Sequence, residues 1–128
     1  MLPKKVREPG FAKILRLNNL TNHSTVSTIL VLPTTEGTHY IPYERIIRLE
    51  ADSNYTILFT TEAKITCSRT LKRLEEELPS GQFIRIHASH IINVDHLRLR
   101  SKTFVRMSNG DEVRVSRSRL GALDGKIE

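Results

Sequence analysis

"FIRIHASHIINVDHL", residues 83–97, sets three histidines and an aspartate in one apolar stretch, and the path of its backbone decides the fold. Read as a helix, it would bring His87 and His90 together. Read as a strand, residues three apart face opposite sides and the two rings diverge. "SHIINV" is rich in β-branched residues, which favour the extended reading. Structural zinc sites draw on cysteines or tight His/Cys pairs, and the stretch has neither, so no metal site is expected from His87, His90, Asp95 and His96.

Strand signals continue on both sides. "VSTILVLP" (26–33) is an apolar run ending at Pro33, followed by the turn-like "TTEG". "RIIRLEA" (45–51) alternates Ile47, Leu49 and Ala51 against Arg48 and Glu50, and "YTILFT" (55–60) sets Ile57 and Phe59 against Thr56, Leu58 and Thr60. "ADSN" between them is rich in turn formers. Cys67 alternates with Ile65 in "AKITCS", a core-facing strand position. One helix interrupts the pattern: in "TLKRLEEEL" (70–78) Thr70 is the N-cap, Leu71, Leu74 and Leu78 share a face, and "PSG" stops it.

The last hairpin fixes its own register. "TFVRMSNGDEVRV" (103–115) contains Asn-Gly, but a two-residue turn would oppose Val105 to Arg114 and Met107 to Glu112, mixing both faces. A three-residue loop, Ser108-Asn109-Gly110, pairs Val105 with Val113 and Arg106 with Glu112 and puts glycine at the left-handed position. The expectation is a mostly β domain of eight to ten short strands with one short helix over residues 26–128, preceded by a linker or extension at residues 1–25.

The 128 residues carry 20 Lys plus Arg against 14 Asp plus Glu, a net charge of +6, which points to a polyanionic partner. No run approaches the roughly 18 apolar residues of a membrane span, and Lys4 and Lys5 have no long apolar stretch behind them, so the opening residues are not expected to act as a secretory signal. A single cysteine fits a reducing cytosol, so a cytoplasmic location is expected. Ser89 has no nucleophile elbow around it, and neither "TTEG" nor "SNGD" has the glycines and lysine of a phosphate-cradling loop. The chain is therefore not expected to be an enzyme or to carry a cofactor.

Anion recognition remains. "LRLR" projects Arg98 and Arg100 from one strand face with Leu97 and Leu99 on the other. "SRSRL" places Arg117 and Arg119 just after the final hairpin, and "SRTLKR" gathers Arg69, Lys72 and Arg73 at the helix start. The helix ends in Glu75-Glu76-Glu77, which phosphates would repel, so it reads as a brace and the loops as readers. The competing expectation is a β-rich protein-interaction domain whose basic patches only solubilise it.

"IIRLEADSNYTILFT" (46–60), "SRTLKRLEEELPSGQFIRIHASHIINVDHL" (68–97) and "MSNGDEVRVSRSRL" (107–120) together resemble a LytTR-type DNA-binding domain, the output module of LytR/AlgR-class response regulators. The likeness runs from about Ile41 to Leu123. It implies about ten strands in small stacked sheets, and loops that enter successive grooves of double-stranded promoter DNA, typically at paired direct repeats. It places Asn54, Tyr55 and Thr56 at groove-facing positions, Ala88 and Ser89 in a second loop, and Arg117 with Ser118 and Arg119 in a third. Arg69 and Lys72 resemble backbone-positioning contacts. An arginine at 117 suits the reading role, because its planar fork satisfies guanine O6 and N7 together.

Two positions depart from the family. Ala88 stands where Arg, Lys or Asn is common, leaving shape, a thymine methyl contact or Ser89 to act there. His90 replaces the more usual Tyr or Phe. A histidine titrating near phosphates would strengthen binding below about pH 6.5. The resemblance also implies a phosphorylated receiver and a sensor kinase. A receiver needs far more than the roughly 40 residues ahead of Ile41, so the chain is expected to be an excised output domain or a standalone member, monomeric alone and dimeric on DNA.

Overall fold

The computed structural model describes residues 28–127. The linker expected at residues 1–25 lies outside the described residues. Ten strands form three antiparallel sheets. The first is a hairpin of β1 (Ile29–Thr34) and β2 (Gly37–Pro42). The second has five strands in the order β5-β4-β3-β7-β6: β3 (Ile46–Asp52), β4 (Tyr55–Thr60), β5 (Lys64–Cys67), β6 (Phe83–His87) and β7 (His90–Asn93). The third, ordered β10-β9-β8, holds β8 (Leu97–Arg100), β9 (Phe104–Met107) and β10 (Glu112–Arg114).

The five-stranded sheet is central because both its faces are apolar. Adjacent residues of one strand feed separate cores: Ile46 and Ile91 join Leu30, Leu32, Leu49, Leu58 and Phe83, whereas Ile47 and Ile92 join Ile84, Ile86, Val105, Met107 and Val113. The β1–β2 hairpin and α1 (Leu71–Glu77) cover the first face. The three-stranded sheet and a second helix, α2 (Leu120–Ile127), supply the second core's remaining wall, with Leu123 fully buried. Two-sided burial explains why "FIRIH" and "HIINV" read as nearly continuous apolar runs.

Several elements form as their residues dictate. Thr70 Oγ1 accepts from Arg73 N at 3.2 Å, a cap worth about 1 kcal/mol, and Leu71, Leu74 and Leu78 are buried. Cys67 is buried, and that burial pushes its thiol pKa up. In the last hairpin Val105 opposes Val113 and Arg106 opposes Glu112, with Gly110 at φ 92, which is the register of the three-residue loop.

Other elements differ from expectation. His87 and His90 do not diverge: Ala88-Ser89 is a two-residue turn, so the histidines are cross-strand partners with ring centroids 5.2 Å apart. In β4 the core face carries Thr56 and Leu58, both 0% exposed, while Ile57 and Phe59 lie half-buried on the other side. Arg48, expected on a polar face, is only 9% exposed, stacked over the Phe59 ring at 3.7 Å and bound to Glu50 and Asp111. Leu97 and Leu99 do not share a face, because the register shifts between them; Leu97 packs on the second core and Leu99 is 42% exposed.

Candidate nucleic-acid interface

The antiparallel order of the central sheet brings four chain reversals to one edge. β3 turns into β4 through Ser53-Asn54, with Asp52 opposite Tyr55. β7 neighbours β3, and its turn from β6 is Ala88-Ser89. Ala51 N donates to Ser89 O at 2.9 Å, which ties the two turns together. β5 ends beside the start of β4, with Thr56 opposite Cys67, so Ser68 and Arg69 emerge there as well. Finally, Ser116 N donates to Ile86 O at 2.8 Å and anchors the 3-10 turn Arg117–Arg119 beside the end of β6.

What faces outward differs from what supports it. Tyr55 is 53% exposed, and Asn54, Ala88, Arg117 and Ser118 are exposed too. Among the described residues the side chains of Asn54, Tyr55, Ser89, Arg117 and Ser118 have no hydrogen-bond partner. Beneath them the backbone is braced. Arg85 donates to the carbonyls of His87 at 3.2 Å and Ala88 at 2.6 Å, and Ser89 N donates to His87 Nδ1 at 3.0 Å. That last bond makes Nδ1 an acceptor and leaves Nε2 to carry the proton of the neutral ring. Ser53 takes φ 57, a left-handed conformation that costs about 1 kcal/mol for a residue with a Cβ, so the tip of the first turn is held in a strained shape.

Thr56 is not at the groove-facing position that the family resemblance implies. Its side chain is fully buried and its hydroxyl donates to Arg69 O at 2.7 Å, so it pins the β5–α1 segment under the edge and cannot face a groove. Arg69 is half-buried and bound to Glu77 at 2.9 Å, with Arg73 3.5 Å from the same carboxylate. Arg85 holds Glu75 at 2.8 Å. The acidic helix end thus faces internal arginines. Lys72 is exposed on the first turn of α1, and Arg119 is half-buried beside Arg117.

The histidines have separate roles. His96 accepts or donates at both nitrogens, 2.6 Å from Ser108 Oγ and 2.6 Å from Glu44 O, and so links the two sheets away from the edge. His90 lies 4.0 Å from Glu50; burial lowers its pKa, Glu50 opposes that shift, and His87 and Arg48 reinforce it. Among the described residues no three His, Cys, Asp or Glu side chains gather as metal ligands.

Next to this edge lies a cleft of about 290 Å³ that no sequence motif marks, lined by His87, Lys102, Thr103, Arg114, Ser116 and Arg117, with no acidic side chain. Lys102 and Arg114 lie far apart from His87 in the chain, and only the stacking of the two larger sheets joins them.

The family sequence model of the LytTr DNA-binding domain matches residues 36–128. The chain belongs to the LytTR family of DNA-binding domains. It is 33% identical over 85 residues, 62% of its length, to the transcriptional regulatory protein LytR of Staphylococcus aureus (strain MW2). It is 30% identical over 98 residues, 72% of its length, to the CO-responsive transcriptional regulator RcoM of Rhodospirillum rubrum. These matches span only 35% and 42% of the two relatives. Among solved structures, the LytTr DNA-binding domain of a putative methyl-accepting/DNA response regulator from Bacillus cereus superposes with a TM-score of 0.69 at 29% identity, covering 80% of this chain and 98% of that one. The mostly β LytTR fold and its DNA-binding class follow. Among the described residues no helix is long and apolar enough to cross a membrane.

Proposed function

We propose that this LytTR domain is a transcription-regulating output module, not an enzyme, and that it reads double-stranded promoter DNA by inserting strand-connecting turns into the grooves. The observation that carries the reading is the shared edge. Asn54 and Tyr55, Ala88 and Ser89, and Arg117 and Ser118 come from three chain reversals and stand together with unpartnered side chains. Polar groups held ready on a braced backbone suit hydrogen bonding to base edges, and the exposed arginine suits guanine. The named relatives are regulators, one of them responding to CO, and only the regulatory output is carried over to this chain. Paired direct repeats, dimerisation on DNA, a receiver with its kinase and a cytoplasmic location belong to the same proposal.

The test is a duplex selected from random DNA, compared with a scrambled duplex. Affinity should fall steeply with salt, as phosphate neutralisation requires. Arg117→Ala should lose about 1–3 kcal/mol on the selected duplex and far less on the scrambled one. Equal loss on both would reduce Arg117 to a phosphate contact, and no duplex affinity in the wild-type chain would leave the protein-interaction reading.

A further inference from the structure

We propose that the cleft between Lys102, Arg114 and Arg117 is a seat for a backbone phosphate of the bound duplex, flanking the groove that Arg117 enters; this rests on the DNA-reading function above. Three features of the site point to an anion. The first is the sorting of charge. Arg45, Arg48, Arg69, Arg85 and Arg106 each hold a carboxylate, whereas among the described residues Lys102, Arg114 and Arg117 have none. Five of the 20 cations precede Thr28, so the domain itself is only mildly basic, and although Lys64, Lys72, Arg98 and Arg119 also lack a carboxylate among the described residues, only Lys102, Arg114 and Arg117 line one cleft.

The second is the lining. A larger cleft of about 530 Å³ elsewhere sets Arg48 and Lys64 against Glu50, Glu62 and Asp111, so its charges cancel. The cleft at Lys102 has no acid to repel a phosphate. Its wall includes Ser116, whose hydroxyl is sequestered from solvent without a hydrogen-bond partner among the described residues. A buried hydroxyl left unpaired costs free energy that an incoming acceptor would recover.

The third is placement. Lys102 precedes β9, Arg114 ends β10, and Val115 N donates to Thr103 O at 2.9 Å, so one hairpin base carries both cations. Ser116 then fastens that base to β6, whose last residue, His87, borders both the cleft and the Ala88-Ser89 turn. Lys102, Arg114 and Arg117 are all exposed, a rim that a passing strand could reach without being enclosed. A phosphodiester there would hold the duplex in register while the neighbouring turns read it.

The experiment measures binding of the full 128-residue chain to the selected and scrambled duplexes between about 50 and 200 mM salt. Lys102→Ala and Arg114→Ala should each weaken both duplexes in equal proportion. Each should also shrink the slope of log affinity against log salt by about 0.9, making binding about threefold less salt-sensitive over that range. Arg45→Ala, which removes a cation bound to Glu62 at the opposite end of the sheet, should leave the slope unchanged. Unchanged slopes in the Lys102 and Arg114 variants, with Arg117→Ala still losing selectivity, would overturn the phosphate seat and leave the reading function standing. Inorganic phosphate perturbing the His87 resonances while the variants bind DNA normally would reassign the cleft to a small free anion. A wild-type chain that ignores duplex DNA overturns both.

Discussion

Asn93 and Asn54 close opposite ends of the same sheet, and their side chains meet opposite conditions. Asn93 is fully buried; its amide donates to Tyr43 O at 3.1 Å and Ile46 O at 2.8 Å, and its carbonyl accepts from Asp95 N at 2.9 Å. Around it Arg45 holds Glu62 at 2.7 Å, Gln82 reaches Asp95 at 3.2 Å, and His96 bridges Ser108 and Glu44. Asn54 is exposed and unpartnered among the described residues, as are Tyr55 and Arg117. One end has turned its polar chemistry inward to fasten two sheets. The other has used only backbone and supporting residues for fastening, leaving its tips available. Stability should therefore reside at the first end and recognition at the second.

Asn93→Leu would challenge that division hardest. It keeps the branched shape and heavy-atom count, though it is somewhat bulkier, and strips partners from two carbonyls and one amide in a buried site, so a loss of about 3 kcal/mol or more is expected. Urea denaturation should show a lower midpoint, while the folded variant keeps its preference for the selected duplex. An unchanged midpoint would mean the closed end is not where stability lies.

Arg48→Ala comes next. Arg48 joins the central sheet to the Asn109–Asp111 loop of the last hairpin through its stack on Phe59 and two carboxylates. Removing it should cost about 2 kcal/mol from a lost cation–π contact and stranded acids. Burial raises the Asp111 pKa, but Arg48, Asn109 and Lys64 together outweigh burial and hold it below 3.8. A lowered carboxylate contributes stability above its unfolded value and loses it as pH falls through the folded one, so Asp111→Asn should flatten the stability curve below about pH 4. At the open end Arg117→Ala should move stability by no more than about 0.5 kcal/mol, whatever it does to DNA binding.

The same contrast explains what could be read without coordinates. The 103–115 hairpin was legible because only one loop length gives a single apolar face with Arg106 opposite Glu112, and local pairing enforces it. Thr70 and Cys67 were legible for the same reason: cap and alternation are set within a few residues. The faces of β4 were not, since "YTILFT" has apolar residues on both sides and Arg48, distant in sequence, shelters Phe59. The His87–His90 pairing hid behind "AS", a turn without glycine or asparagine. Helix α2 hid behind Gly121 and Gly125, which lower helix propensity until Leu123 is docked in the second core. The residues proposed to face the grooves were named by family resemblance; Lys102 and Arg114 had no such marker, because three-dimensional adjacency alone makes their cleft.

The smallest expected effect tests His90, which lies between the two regimes on the first residue of β7. Its Nδ1 is buried without a hydrogen bond, with Glu50 at 4.0 Å, His87 across the turn and Arg48 nearby. Burial lowers its pKa from 6.5, so the folded chain resists a proton that the unfolded chain accepts. Stability from this group is therefore fully present above about pH 6.5 and is lost as pH falls through the lower folded value. His90→Tyr removes the titration. Its unfolding midpoint relative to wild type should stay constant above pH 6.5 and rise below it. Parallel curves at all pH values would show that the protonated ring is accommodated beside Glu50. His90 would then become the candidate for acid-strengthened DNA binding, a role its burial otherwise opposes.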